Sequence, residues 1–89
     1  MADAATVTVG KDAMQIIGGG GAILGGHRVI LRNRHADDEL IIGGDDVSKT
    51  NGFSIDADST FDLGTLPPGS AIWAIRGGSS DIEVQVLAI

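Results

Sequence analysis

Asp81-Ile82-Glu83-Val84-Gln85-Val86-Leu87-Ala88-Ile89 closes the chain, and its alternation decides the fold. Ile82, Val84 and Val86 share one parity, and Asp81, Glu83 and Gln85 share the other. A strand turns successive side chains to opposite faces, so this stretch reads as a strand buried on one side. The same period recurs upstream. Ala71–Arg76 sets Trp73 and Ile75 on one face and Ile72 and Ala74 on the other. Ser59–Leu63 turns Phe61 and Leu63 inward, with Asp56, Asp58, Thr60 and Asp62 on the water side. His27–Arg34 turns Val29 and Leu31 inward and Arg28, Arg32 and Arg34 outward, with Ile30 on the arginine face. Shorter strands are expected at Ala5–Val9, Ala13–Ile17, Glu39–Ile42 and Phe53–Ile55. No window of ten or more residues keeps a helical apolar period. Strands punctuated this often by turns predict an all-β chain: one domain, a small antiparallel β-sandwich or jelly-roll-like fold. Between Val47–Thr50 and Phe53–Ile55 stands Asn51-Gly52, the strongest hairpin signal in the chain, which predicts a type I′ turn there.

The 89 residues make one domain with a thin core. Two Phe, one Trp and no Tyr leave that core to Ile, Val, Leu and Ala, while fourteen glycines raise the entropy cost of folding. The chain has no Cys, so disulfides and thiolate metal sites are excluded, and oligomerisation or docking on a larger surface is the remaining means of support. Six basic residues against twelve acidic ones give a net charge of −6. That balance speaks against a nucleic-acid or anionic-membrane partner. The N-terminus shows neither the charged nor the apolar region of a signal peptide, and synthesis in a cytoplasm is expected.

Residues 1–26 differ in texture from the rest. Gly18 to Gly21 and Gly25-Gly26 flank the apolar pair Ile23-Leu24. The expectation is a glycine-rich N-terminal arm with short strands over 1–26 and a compact sandwich over 27–89. In this reading Val7, Val9, Ile23 and Leu24 of the arm, with Arg28, Arg32 and Arg34, are the candidate contacts to a partner or a second subunit. The nearly equal rival makes Ala5–Val9 and Ala13–Ile17 ordinary strands of the sandwich.

The residues offer little to catalysis. The glycine run matches no dinucleotide or phosphate-loop pattern and holds no lysine. His27 and His35 sit at opposite ends of one strand, too far apart to share a metal ion. The serines lie in turns and at strand ends, without the elbow that a nucleophile needs. Asp37-Asp38-Glu39, Asp45-Asp46 and Asp56-x-Asp58 fail the EF-hand pattern and read as a solvated acidic face. No catalytic residue, cofactor or metal is therefore expected. The arginines could pair with Asp81 and Glu83 across strands or between subunits. Trp73, the largest side chain, is expected in the core.

The order Arg28-Val-Ile-Leu-Arg-Asn-Arg, Glu39-Leu-Ile-Ile-Gly-Gly, Asp46-Val-Ser-Lys-Thr-Asn-Gly-Phe, Phe61-Asp-Leu, Pro68-Gly-Ser-Ala-Ile-Trp-Ala-Ile and Asp81-Ile-Glu-Val-Gln-Val-Leu resembles a group of small phage β-sandwich virion proteins. The resemblance spans about residues 27–89. Two features depart from it: the long glycine-rich insert at Gly18–Gly26, and Asp56-Ala57-Asp58 where a Pro/Ala-Gly turn is more typical. Proteins of this group act as capsid decoration (cement) proteins, head fibres or tail-associated proteins. The resemblance implies a structural virion protein on the capsid exterior, made in the bacterial host cytoplasm. It further implies the major capsid protein as partner and a homo-oligomer, with a trimer as the first guess. A tail or head-fibre component and a carbohydrate-binding module for host attachment are the alternatives.

Overall fold

The computed structural model describes residues 3–18, 28–67 and 69–89. They form eight strands: β1 (Asp3–Val9), β2 (Met14–Ile17), β3 (Arg28–Asn33), β4 (Leu40–Gly43), β5 (Phe53–Ile55), β6 (Thr60–Thr65), β7 (Ile72–Arg76) and β8 (Ile82–Ala88). Two four-stranded sheets pack face to face, ordered β1-β8-β3-β6 and β2-β7-β4-β5. Every pairing is antiparallel. The order has a simple origin. Folding the chain in half at the β4–β5 connection pairs β1 with β8, β2 with β7, β3 with β6 and β4 with β5. Rolling that long hairpin adds the pairs β3–β8 and β4–β7 and closes two sheets. This is the order of an eight-stranded jelly roll.

Alternation places the core as the sequence predicts. Val29 and Leu31 of β3, and Ile82, Val84 and Val86 of β8, are buried between the sheets with Leu40, Ile42, Ile55 and Ala74. Phe61 and Leu63 pack against this core from β6. Phe61 also meets Phe53 of β5, ring centroids 5.0 Å apart and tilted by 40°, so the aromatic pair bridges the sheets along one open side.

Two bulges modify the pattern. Pairing of β2 with β7 shifts between Gln15 and Ile17, and Ile16 and Ile17 are both fully buried, where strict alternation would expose one of them. Against β6, the register skips between Val29 and Ile30, and Gly64 takes a φ of 73° there. Glycine tolerates that left-handed conformation, so β6 continues past Leu63, where the alternation ends, to Thr65.

The division at residue 26 is corrected. β1 pairs with β8 along its whole length, and Val9, Ile16 and Ile17 are fully buried in the common core. These strands form sheet because their apolar residues, alternating in β1 and bulged in β2, complete the interior that β7 and β8 line. The sandwich therefore begins at β1.

The Asn51-Gly52 turn is also corrected. Ser48 and Asn51 exchange both backbone hydrogen bonds, at 3.0 and 3.2 Å, so Lys49 and Thr50 form the tip. Residues 44–52 fold back over the outer face of the β2-β7-β4-β5 sheet, where Val47 packs on Ile41 and Ile75. Trp73 joins this satellite cluster, partly buried, and does not enter the main core.

Candidate interaction face

The sandwich has two outer faces, and they differ. Residues 44–52 cover one, through Val47. The outer face of the β1-β8-β3-β6 sheet carries no such cover among the described residues. Register arranges this face in rows. Ala4, Leu87, Ile30 and Asp62 lie across the four strands in one row, and Thr6, Gln85, Arg32 and Thr60 in the next. Between the rows runs a shallow groove of about 470 Å³, with half-buried Ile30 and Leu87 among polar neighbours.

The three arginines stand on this face, as alternation predicts, and each has an acidic neighbour. Arg28 Nη2 donates to Asp62 Oδ2 at 2.5 Å, and Arg34 Nη1 donates to Glu83 Oε1 at 3.0 Å. Arg32 Nη2 lies 3.7 Å from Asp58 Oδ1. The side chains are about half exposed, so these pairs order the surface more than they stabilise the fold. The hydrogen bond from Arg28 holds the Asp62 carboxyl below the usual aspartate range, helped by the Gly64 N–H. The same bond raises the Arg28 guanidinium. Pairing with the last strand is thus realised only at Arg34–Glu83. Asp81 accepts a 2.8 Å bond from Arg76, and β6 with its preceding turn supplies the partners of Arg28 and Arg32.

The other candidate contacts are not brought to this face. Val9 is fully buried and has no surface to offer a partner. Val7 packs against the core from the rim of its sheet, partly exposed. Both point inward because they share parity on β1, opposite Ile82 and Val84 of β8. Ile23, Leu24 and His27 lie outside the described residues.

One polar residue escapes the sequence reading. Asn33 is fully buried at the end of β3. Its Nδ2 donates to the carbonyls of Asp38 at 2.9 Å, Asp56 at 3.2 Å and Ile55 at 3.3 Å, while Oδ1 accepts from the His35 N–H at 2.9 Å. It thereby ties the first sheet to the β3–β4 connection and to β5 in the second sheet. The available signal is parity, since Asn33 follows Val29 and Leu31 on the inward face.

The connections β1–β2, β3–β4, β5–β6 and β7–β8 gather at one end, linked by backbone bonds from Arg76 to Gly10, Gly77 to Glu39 and Asp58 to His35. Asp12, Asp37, Asp38, Glu39, Asp56, Asp58 and Asp81 make this the acidic end. His35 Nδ1 accepts the N–H groups of Asp37 and Asp38 at 3.1 and 2.9 Å, a role in holding the turn. Among the described residues, no group of three or more His, Cys, Asp or Glu side chains is placed to hold a metal ion. What the molecule presents on the β1-β8-β3-β6 sheet is a mixed polar and apolar surface. Comparison with protein-family models, with curated proteins and with solved structures finds no match.

Proposed function

We propose that this chain is a structural virion protein, a capsid decoration protein that binds the outside of an assembled phage shell through the outer face of the β1-β8-β3-β6 sheet. The observation that carries the reading is the contrast between the two outer faces. One is covered by the chain's own hairpin. The other sets Ile30 and Leu87 in a groove lined by Arg32, with the ion-paired Arg28 and Arg34 on the same face, and an apolar centre with a polar, arginine-bearing surround is how protein interfaces are built. The resemblance of residues 27–89 to small virion proteins supports it. The jelly-roll order is compatible, being used by viral capsid domains and by lectins, and by itself it assigns no function.

The mechanism is adhesive. A copy that binds neighbouring shell subunits stabilises the assembled lattice over the dissociated one by mass action, and repetition around the shell multiplies the effect. The chain carries out no catalysis in this role.

Adding purified protein to shells that lack it tests the reading. Co-sedimentation saturating in proportion to the major capsid protein, with improved resistance of the shells to heat, is expected. Ile30→Glu should abolish the binding and leave the fold intact. Saturation at a few copies per particle points to the tail or a head fibre. Glycan binding without shell binding points to host attachment. Either result overturns the decoration role.

A further inference from the structure

We propose that two copies of this chain pair through the free edges of β1, antiparallel about Thr6, so that the two β1-β8-β3-β6 sheets become one continuous eight-stranded sheet. The inference goes beyond the virion role and does not depend on it.

The four sheet edges are treated unequally. β5 has three residues, and β2 has four with a bulge. β6 has a bulge at Gly64 and carries the Arg28–Asp62 ion pair. Short length, bulges and charge are the devices by which proteins block edge pairing. β1 is neither short nor bulged, and its one charged residue is Asp3 at its start. It runs seven residues in unbroken register with β8, and from Ala4 to Val9 it holds only Ala, Thr and Val. No described residue pairs with its other side.

The sequence of this edge suits a copy of itself. Antiparallel pairing about Thr6 sets Ala5 opposite Val7 on the core side and Ala4 opposite Thr8 on the outer side. Parity is kept, so Ala5 meets Val7 and the partly exposed Val7 gains cover, while Asp3 falls opposite Val9 at either end of the pair. The backbone exchange is that of β-augmentation. Charge chooses the direction. β1 runs toward the acidic end, so a parallel pair would bring two acidic ends together. The antiparallel pair holds them apart by about the strand's length, roughly 20 Å, well beyond the screening distance in physiological salt. The contact has two-fold symmetry, in place of the threefold one that the resemblance implies.

Sedimentation of the full chain over a wide concentration range, combined with amide hydrogen exchange, tests this. A monomer–dimer equilibrium is expected, with the β1 amides that point away from β8 protected only in the dimer. Thr6→Lys sets two ammonium groups opposite each other and should weaken the dimer by about tenfold or more. Ser54→Lys on β5 should leave it unchanged. A monomer at every concentration overturns the proposal, including one in which the outward β1 amides are protected by the chain itself. So does a trimer, or a dimer whose outward β1 amides exchange freely. Because the exchange measurement is made on the unaltered chain, it decides the matter even where Thr6→Lys fails to fold. Failure of shell binding with an intact dimer would strike only the decoration role.

Discussion

Asn33 shows how much one buried side chain can hold. Its amide satisfies three carbonyls and one N–H in a place where water does not reach. Asn33→Leu keeps the branched shape, adds some volume and strands those groups, so a loss of roughly 2–4 kcal/mol in urea unfolding is expected. Asn33→Asp should be worse at neutral pH, because a carboxylate would face three carbonyl oxygens. Parity offers a signal for the inward position of Asn33, but Ile55 and Asp56, two of its carbonyl partners, lie 22 and 23 residues away, and no local pattern announces them. On the surface, the Asp62 carboxyl is depressed by Arg28, and the sign of its linkage follows. Its contribution is present at neutral pH and is lost as pH falls below the ordinary aspartate range, near 4, through the lower folded value. Carboxyl NMR should show Asp62 titrating below that range, and Arg28→Ala should bring it back up. An unchanged Asp62 titration in that variant would mean that the Gly64 N–H, at 2.8 Å, sets the shift alone.

At the scale of elements, the instructive case is the β4–β5 connection. Asn51-Gly52 carries the usual signature of a type I′ turn, yet the tip is Lys49-Thr50 and Gly52 does not adopt a positive φ. Glycine is needed at 52 for space. A Cβ there would lie 2.8 Å from Val47 Cγ2 and 2.9 Å from the Ile42 carbonyl, and against Ile41 as well. Gly52→Ala should therefore destabilise by about 1–3 kcal/mol through a clash in a packed cluster. Gly64→Ala should cost on the order of 1 kcal/mol for a different reason, since its surroundings are open and only its φ of 73° resists a side chain. Val47→Ala makes room at one of these contacts. It should reduce the penalty of Gly52→Ala and leave that of Gly64→Ala unchanged, which a double-mutant cycle measures. Strands β3, β6, β7 and β8 were legible because alternation needs only local sequence. The bulges at Gln15/Ile17 and Gly64 were not, because a bulge is defined by the partner strand's register. The hairpin misled because a local turn signal was outweighed by the burial of Val47 on Ile41 and Ile75.

For the whole molecule, the decisive fact is that the chain's two ends are paired. β1 covers β8 and β2 covers β7, so the last strands of the sequence depend on the first. The textural break at Gly18–Gly26 hid this. Glycine density marks a change of composition, while membership of a sheet is set by contacts from the far end of the chain. The face bearing Arg28, Arg32 and Arg34 was legible from alternation, but its groove was not, because the groove depends on strand order. Residues 27–89 alone should consequently fail to fold. Removing residues 1–26 takes away Val9, Ile16 and Ile17, each fully buried, and full burial of such side chains is worth roughly 1.5–3 kcal/mol apiece. Together that is about 5–9 kcal/mol, comparable to the whole stability of a small domain. It also lays open Ile82, Val84 and Val86, leaves β8 as an unprotected edge, and strips the Arg76 N–H of its Gly10 acceptor. Circular dichroism and proton NMR of the 27–89 fragment should show a disordered or aggregating chain. Adding a synthetic peptide of residues 1–18 should restore dispersed β-sheet resonances, because it supplies both missing strands. A fragment that folds unaided would mean that β1 and β2 are appended to a self-sufficient core, which the full burial of Val9, Ile16 and Ile17 in the common core contradicts.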